Sequence, residues 1–522
     1  MNAADELLGP ALKRGQADEA AIIAGGRTVT YAELQAAAAR SGGAFRELGV
    51  GKQDRVLLLA DDGPEFIYVY LGAMKIGAVP VAINLRASAQ ELAFMVEDSA
   101  CKLIVTDSQF LDTVERARAM SDGFPPVVVT TPAEGHDTAQ AGGHDDILSL
   151  MVGRDERMHS VDLDPDDAAF WMYTSGTTGE PKAAVHRLAS LPHVPRYLKD
   201  VYGVRPGDRL FCSSKLFFAF SLGHVLLAGL MLGATAVLHW GWPRPEDIAD
   251  TIETHKPSVV FSVPTFYRAL VSGGFAGSPA FRNVRHFISA GERLPETLCR
   301  QWQTVTGQPL LEGIGATEAL VMFIGNAPKK FAPGATGKPY PGVEVKLTDE
   351  DGGPVTETGV PGILWVKAPT LADGYWNQPD KTAEAFRDGW YRTGDMFVLD
   401  EKGWYHHQGR SDDMLKISGQ WVSPVQIEER VLENPKVAES AVVGVTDTSG
   451  FVRLALCMIL ADPRADREAL EEEICADLTG NLSIYKCPRR FVYLDDFPRT
   501  PTGKVQRFKL RQIAADEVGG RA

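Results

Sequence analysis

The stretch "YTSGTTGEPKAAVH" (Tyr173 to His186) gathers the hydroxyls of Thr174, Ser175, Thr177 and Thr178 and the glycines Gly176 and Gly179 into one short run that closes on Pro181-Lys182. Glycine lets a backbone approach a ligand closely, and successive inward-facing amides form a concave nest for anions. Hydroxyl donors and the mobile ammonium of Lys182 complement such a nest. The chemistry that suits this composition is polyphosphate binding. A solvated Gly/Ser linker has a similar composition, but "AAFWMY" (Ala168 to Tyr173) runs straight into the loop as a buried strand, and phosphate loops commonly leave strand ends. The spacing is not that of the G-x-x-x-x-G-K-[ST] loop. Pro181 stands where the second glycine would be, and Ala183 follows the lysine where Ser or Thr would hold magnesium.

Further along the chain, other short stretches carry matching chemistry. "GIGATE" (Gly313 to Glu318) follows the strand-like "PLLE", which sets it at a strand's C-terminal end, where open α/β sheets bind ligands. Thr317 can donate to a phosphate there, and the Glu318 carboxylate suits Mg²⁺, a hard cation. "YRTGD" puts Asp395 after a tight turn, ready to accept from two ribose hydroxyls. "GRSDDMLKISG" offers Arg410 and Lys416 around Asp412-Asp413, and "PRTPTGKVQR" exposes Lys504 on a glycine turn. Each has a bland counterpart: a solvated Thr-Glu pair, an ordinary turn, a solubilising basic tail. Their joint occurrence in this order is what points to nucleotide chemistry.

These loops need elements to hold them. Short, nearly continuous apolar runs such as "DRVLLLAD" (54–61), "CKLIVTD" (101–107), "DRLFCSS" (208–214), "SVVFSVP" (258–264) and "RHFISAGE" (285–292) alternate with helical segments such as 31–49. That alternation predicts mostly parallel sheets covered by helices on both faces, an α/β fold. After about Gly334, "GVEVKLTDEDGGPV" and "GILWVKAP" alternate apolar and polar around Asp-Gly and Gly-Gly turns, which predicts antiparallel hairpins in a small β-rich subdomain. Beyond "GRSDDMLKISGQ" a self-contained α+β pattern begins: a helix at 423–435, strands at 438–445 and 453–460, an acidic helix from Asp466 and a strand at 490–497. The domains expected are 1–411 and a small mobile one at 412–522. The Gly/Ala/Asp-rich region 130–146 predicts a surface loop with His136 and His144 solvated.

Composition narrows the partners. At 522 residues the chain exceeds one core. A formal net charge of −15 argues against nucleic acid or an anionic membrane as the main partner, so an anionic ligand must be met by local charge. The 6 cysteines are scattered without a C-x-x-C pair, which suits a reducing compartment rather than disulfides or a metal. The N-terminus lacks an apolar core and cleavage site, so no signal peptide is expected. "LGHVLLAGLMLGATAVL" (222–238) carries His224, glycines and a threonine, and is read as a buried helix and strand. The expectation is a cytoplasmic protein.

Taken together, the Thr/Ser/Gly loop ending in Pro-Lys, the Thr-Glu, the Thr-Gly-Asp, the Gly-Arg-x-Asp-Asp and the terminal Gly-Lys resemble the adenylate-forming superfamily of acyl-CoA synthetases, adenylation domains and luciferases. The resemblance covers essentially the whole chain. "KLFFAFSLGH" (Lys215 to His224), "EGIGATE" and "SDDMLKISGQWVSP" look most like the benzoate-CoA ligase branch. It implies that Thr174, Ser175, Gly176, Thr177, Thr178, Gly179 and Lys182 cover the β- and γ-phosphates of ATP. Gly291, Glu292 and Arg293, with Gly313, Ile314, Gly315 and Ala316, would flank adenine. Thr317 would meet the α-phosphate, Glu318 and Thr178 the Mg²⁺, and Asp395 and Arg410 the ribose. Lys504 would stabilise adenylate formation, Asp412 would be the hinge, and Ser418, Gly419 and Trp421 would line the tunnel for coenzyme A. Phe217, Ala219, Phe220, His224, Gly315, Val321 and Met322 would face a flat aromatic acid, with His224 either satisfied by backbone or reading a ring substituent.

The implied activity is ATP-dependent ligation of benzoate or a substituted benzoate to coenzyme A, releasing AMP and pyrophosphate, with a homodimer as the candidate assembly. Loading of a carrier protein, or activation of a short- to medium-chain acid, are the alternatives. Two departures stand out. Ala183 replaces the glycine that often follows the lysine, and Ile314 stands where many members carry an aromatic residue.

Overall fold

The structure, a computed structural model, describes residues 1–130, 143–175, 181–417, 420–446, 452–482, 486–499 and 505–519. It divides into two compact units, Met1–Val345 with Val366–Arg392, and Lys346–Trp365 with Thr393–Ala522.

The first unit is built on two sheets. In the nine-stranded sheet, Leu310–Gly315, His286–Ser289, Val259–Ser262, Arg209–Cys212, Thr235–Leu238 and Ala20–Ala24 run parallel in that spatial order, with Phe211 opposite Val260 in the register. Antiparallel strands flank them, Met322–Gly325 on one side and Arg27–Thr30 on the other. In the seven-stranded sheet, Leu103–Asp107, Arg55–Leu59, Val79–Ala82 and Ala168–Ser175 run parallel, and Pro181–Arg187 closes the edge antiparallel. Runs such as "VVFS" and "LIVTD" are buried along their whole length, as strands covered on both faces require.

Helix Tyr31–Glu47 begins with a reciprocal capping box between Thr30 and Glu33 and packs on helix Pro64–Lys75. A Cβ at Gly42 would sit 3.0 Å from the Gly72 carbonyl oxygen, so the small residues set how closely the two helices approach. The run 222–238 is buried, as expected, but opens with a π-helical turn, Leu222–Leu227, before helix Ala228–Leu232 and strand Thr235–Leu238. Among the described residues no helix is long and apolar enough to cross a membrane.

In the second unit, strands Val437–Thr446 and Val452–Leu460 pair antiparallel, and Arg490–Tyr493 joins parallel. Helix Pro424–Leu432 is capped by Ser423, and helix Arg467–Asn481 by Asp466. Ile427, Val442, Leu456 and Ile474 share its core. This unit starts ahead of residue 412 because the hairpin ending at Arg410 is tied into it: the Ser423 hydroxyl donates to the Gln408 carbonyl at 2.5 Å. None of the 6 cysteines forms a disulfide.

Candidate active site

Strands Ala168–Ser175 and Pro181–Arg187 flank the hydroxyl-rich loop, with Thr174 opposite Lys182 in the register. Gly176, Thr177, Thr178 and Gly179 lie outside the described residues, as do Ser418, Gly419 and Lys504 and the side chains of Ser175 and Trp421. What the structure gives is the frame around them. Alternate residues of a strand share a face, so Lys182, Ala184 and His186 point the same way. That face meets the short turn Thr317–Ala319, which follows strand Leu310–Gly315.

Two contacts join the strand to the turn. Lys182 Nζ lies 3.9 Å from Glu318 Oε1. The His186 Nε2 lies 3.0 Å from the Thr317 carbonyl oxygen; a carbonyl only accepts, so Nε2 carries the proton. Tyr375 completes the arrangement. Its hydroxyl donates to Glu318 Oε1 at 2.6 Å, and the Lys182 ammonium stands 4.0 Å from its ring centroid. Tyr375 arrives there because residues 373–376 run along the free edge of Pro181–Arg187: the Val185 N–H donates to the Gly374 carbonyl, and the Trp376 N–H to that of Ala183. Glu318 is 6% exposed, so its charge is met by Lys182 and Tyr375 rather than by bulk solvent.

A buried carboxylate supplies the hard oxygen donors that Mg²⁺ prefers. Among the described residues no group of three or more metal-ligating side chains lies together. With Oε1 committed to Tyr375, the second Glu318 oxygen is the donor left for a cation.

The turn then leads directly into an apolar wall. Leu320 adopts φ +65°, a left-handed value uncommon for a branched residue, and brings Val321 and Met322 against the segment Ala219–His224. Gly223 makes that approach possible, since a Cβ there would lie 2.6 Å from the Leu320 carbonyl oxygen. Gly313 and Gly315 serve the same hairpin: a Cβ would meet Met322 Sδ at 2.6 Å and the Val321 oxygen at 2.9 Å. Phe220 sits edge-on to both His224 and Phe261 at 5.3 and 5.8 Å. Phe217 packs instead against Phe218 and Trp242.

His224 is 1% exposed and accepts the Met322 N–H at Nε2, 3.4 Å away. It is therefore the neutral Nδ1–H tautomer, and burial pushes its pKa down to about 3, partly offset by the backbone of Phe220 and Ala219. Gly291 adopts φ +90° after strand His286–Ser289, and the Thr265 hydroxyl donates to Glu292 at 3.2 Å. Ile314 is half-buried and Gly315 exposed on the same strand.

The wall is anchored from behind by groups that composition alone does not reveal. Lys215 Nζ pairs with Asp61 Oδ1 at 2.6 Å and donates to the His239 carbonyl at 2.7 Å. The Leu216 N–H donates to Asp62 Oδ1 at 2.9 Å, and the Gly241 N–H to Asp61 Oδ2 at 3.0 Å. One acidic doublet after strand Arg55–Leu59 thus holds both the start of the Phe217–Phe220 run and the residues leading to Trp242.

In the second unit, Asp395 and Arg410 face each other across the hairpin of Trp390–Leu399 and Tyr405–Arg410. Arg410 Nη1 lies 3.5 Å from Asp395 Oδ1 and donates to the Thr393 carbonyl at 2.9 Å. Gly394, φ +75°, leaves room for that guanidinium, since a Cβ would lie 2.8 Å from Nη2. Asp412 sits in the turn Ser411–Asp413, and Asp413 pairs with Arg507 at 3.8 Å. Arg499 and Val505, on either side of the segment bearing Lys504, form an antiparallel bridge.

The pattern of the AMP-binding enzyme family matches residues 11–376, and that of the AMP-binding enzyme C-terminal domain matches 426–504. The chain belongs to the AMP-binding enzyme family. It is 46% identical to a 3-hydroxybenzoate–CoA ligase of Aromatoleum sp. (strain CIB), over 98% of this chain and 97% of the relative. It is 44% identical to a 3-hydroxybenzoate–CoA/4-hydroxybenzoate–CoA ligase of Thauera aromatica, again over 98% and 97%. Among solved structures, a benzoate CoA ligase from Burkholderia xenovorans LB400 superposes with a TM-score of 0.87 at 34% identity, covering 98% of this chain and 100% of that one.

His186 and Tyr375 are the polar residues that motif reading passes over. The signal for His186 was its period-two spacing from Lys182. Tyr375 has none, because its contact with Glu318 spans 57 residues of sequence.

Proposed function

We propose that the chain is an AMP-forming ligase that joins benzoic acids, hydroxybenzoates foremost, to coenzyme A through an acyl-adenylate. The observation that carries this is the single turn from Thr317 to Met322: its first residues face Lys182 and His186, and its last face Gly223 and His224. A molecule that is anionic at one end and a flat ring at the other fits such a turn.

A carboxylate is a poor acyl donor because its oxygen is a poor leaving group. Attack of a carboxylate oxygen on the α-phosphorus of ATP breaks the bond to pyrophosphate and gives the acyl-adenylate. Negative charge grows on that phosphate as two anions meet, and preorganised donors act most strongly there. Thr317 and Lys504 are assigned to this charge, Lys182 to the outer phosphates, and Asp395 with Arg410 to the ribose. Magnesium, bound to Glu318, would supply Lewis-acid neutralisation of the phosphates.

In the second half-reaction the coenzyme A sulfur attacks the acyl carbon and AMP leaves. One face of a small domain cannot serve both steps, so we assign Asp412 as the pivot, Lys504 to the first step and Ser418, Gly419 and Trp421 to the second. The homologues named for hydroxybenzoates support the ring class. A cytoplasmic location and a homodimer complete the proposal.

The test is a panel of aryl and alkyl acids scored for AMP release, with free coenzyme A or without it. Hydroxybenzoates and benzoate should give turnover and a thioester of the expected mass. Turnover with palmitate exceeding every benzoate would reject the aryl reading. Adenylation without any coenzyme A thioester would favour a carrier-protein acceptor.

A further inference from the structure

His186 is fully buried, and its ring stacks on Phe170 with centroids 4.8 Å apart and planes 11° from parallel. The ring's sole hydrogen bond among the described residues runs from Nε2–H to the Thr317 carbonyl; Nδ1 is buried without a partner. Leaving a buried nitrogen unpaired is costly, and such groups in native proteins call for an explanation. Packing does not supply one. A phenylalanine or leucine could fill the place beside Phe170 without desolvating a nitrogen. What an apolar residue could not do is reach the turn that carries Thr317 and Glu318.

The placement of that bond is informative. Lys182 and His186 lie on the same face of strand Pro181–Arg187, and they contact successive residues of the turn: Lys182 the Glu318 side chain, His186 the Thr317 backbone. The Ala372 N–H holds the Glu318 carbonyl at 2.7 Å from the opposite chain segment. The turn is thus gripped at adjacent carbonyls, and its neighbour Leu320 sits at a positive φ that the surroundings must maintain.

We propose that His186 is a positioning residue for adenylate formation, its Nε2–H fixing the Thr317 carbonyl so that the Thr317–Glu318 turn stays in register with Lys182 of the same strand. The inference rests on the function proposed above for that turn. Burial pushes the imidazole pKa down to about 4, so the group remains neutral, with its proton on Nε2, throughout the working pH range. Displacing a positioning contact by about 1 Å can cost on the order of 100-fold in rate.

The experiment uses the full-length enzyme and the variants His186→Gln, His186→Asn and His186→Leu. Glutamine places an N–H near the position of Nε2; asparagine is too short; leucine has no donor. Acid-dependent ATP–pyrophosphate exchange is measured beside thiolysis of supplied aryl-adenylate and the thermal midpoint. We expect His186→Leu to lower exchange kcat about 10- to 100-fold with KM for the acid, thiolysis and thermal midpoint little changed. His186→Gln should recover most of the loss and His186→Asn should not.

Equal exchange rates in wild type, Gln and Asn variants would overturn the proposal, and the Gln–Asn contrast decides it even where the leucine variant fails to fold. Parallel loss of exchange, thiolysis and thermal midpoint would likewise overturn it, as a purely structural role. ¹⁵N imidazole shifts report the Nε2–H tautomer independently of activity. A wild-type enzyme with that tautomer but no acid-dependent exchange would instead remove the functional reading on which the proposal stands.

Discussion

The two ends of the Thr317–Met322 turn are built by different physics. At the end proposed to meet phosphate the polar groups are committed to one another: Lys182 to Glu318, Tyr375 to Glu318, His186 to Thr317. At the ring end the side chains are apolar or neutral, and the shape is set by glycines, Gly223, Gly313 and Gly315, that let backbone come closer than any Cβ would permit. Charge-assisted bonds depend on both partners, whereas an apolar wall tolerates exchange if volume is kept. Substitutions at the first end should therefore remove chemistry, and substitutions at the second should redirect it.

The largest break should come at Lys504, through the loss of one donor to the developing phosphate charge. Lys504→Ala is expected to slow adenylation about 100- to 1,000-fold while leaving thiolysis of supplied acyl-adenylate nearly intact. Equal slowing of both half-reactions would remove Lys504 from its role. Next comes Tyr375→Phe, which deletes the 2.6 Å bond to Glu318 and keeps the ring under Lys182. A hydrogen bond to a charged group is worth about 1.5–3 kcal/mol, so adenylation should fall about 10- to 150-fold, with KM for magnesium–ATP affected and KM for the acid spared. An effect on the acid alone would erase the division between the two ends.

This division also explains what could be read from sequence. The parallel strands were legible because strands covered on both faces must be continuously apolar, and "LIVTD" or "VVFS" leaves little alternative. The capping box of Thr30 and Glu33 marks its helix in the same local way. Glycines and hydroxyls in a row mark 174–182 as a candidate phosphate loop, though its tip lies outside the described residues, and a strand ending just before Thr317-Glu318 marks that pair. Tyr375 and the Asp61–Lys215 pair were not legible, because their partners lie 57 and 154 residues away in sequence and each residue alone has an ordinary local setting. The π-helical turn at Leu222–Leu227 has no local signature either: "LGHVLL" reads as plain helix, and the widened turn is seen only once Gly223 meets Leu320.

A smaller effect is expected at the ring end. Gly223→Ala would bring a methyl to 2.6 Å from the Leu320 carbonyl oxygen, which is backbone and must move. Overpacking of this kind costs about 1–3 kcal/mol, seen as a lower thermal midpoint. The wall formed by Val321 and Met322 should shift, raising KM for the aryl acid about 10-fold, the low end of what one lost methylene contact costs, with KM for ATP unchanged. A lower midpoint with both KM values unchanged would mean that the wall relaxes away from the ring, and that shape at this end is less tightly set than the glycines suggest.

The smallest effect separates the ends by pH. Asp62 is buried, and burial together with the neighbouring Asp61 raises its pKa from 3.8 to about 7 against the downward pull of Lys215. Asp107, whose carboxylate accepts the Asp61 N–H, is raised by burial to about 6. A raised folded-state pKa means the folded protein binds more protons than the unfolded chain between those values. The associated stability is complete below the unfolded value and lost as pH rises through the folded one. His186 runs the other way: its pKa is lowered to about 4 from 6.5, so its contribution is complete above 6.5 and lost as pH falls through 4. Ionising Asp62 adds a like charge beside Asp61, with Lys215 as the cation they share, behind the Phe217–Phe220 wall. KM for the aryl acid should therefore rise modestly as pH increases through about 7 while KM for ATP stays flat, and Asp62→Asn, which keeps the acceptor for the Leu216 N–H, should abolish the rise. Steady-state titrations of both substrates from about pH 5.5 to 8.5 check this. An unchanged rise in the asparagine variant would assign the titration to another group and leave the acidic doublet as a static anchor.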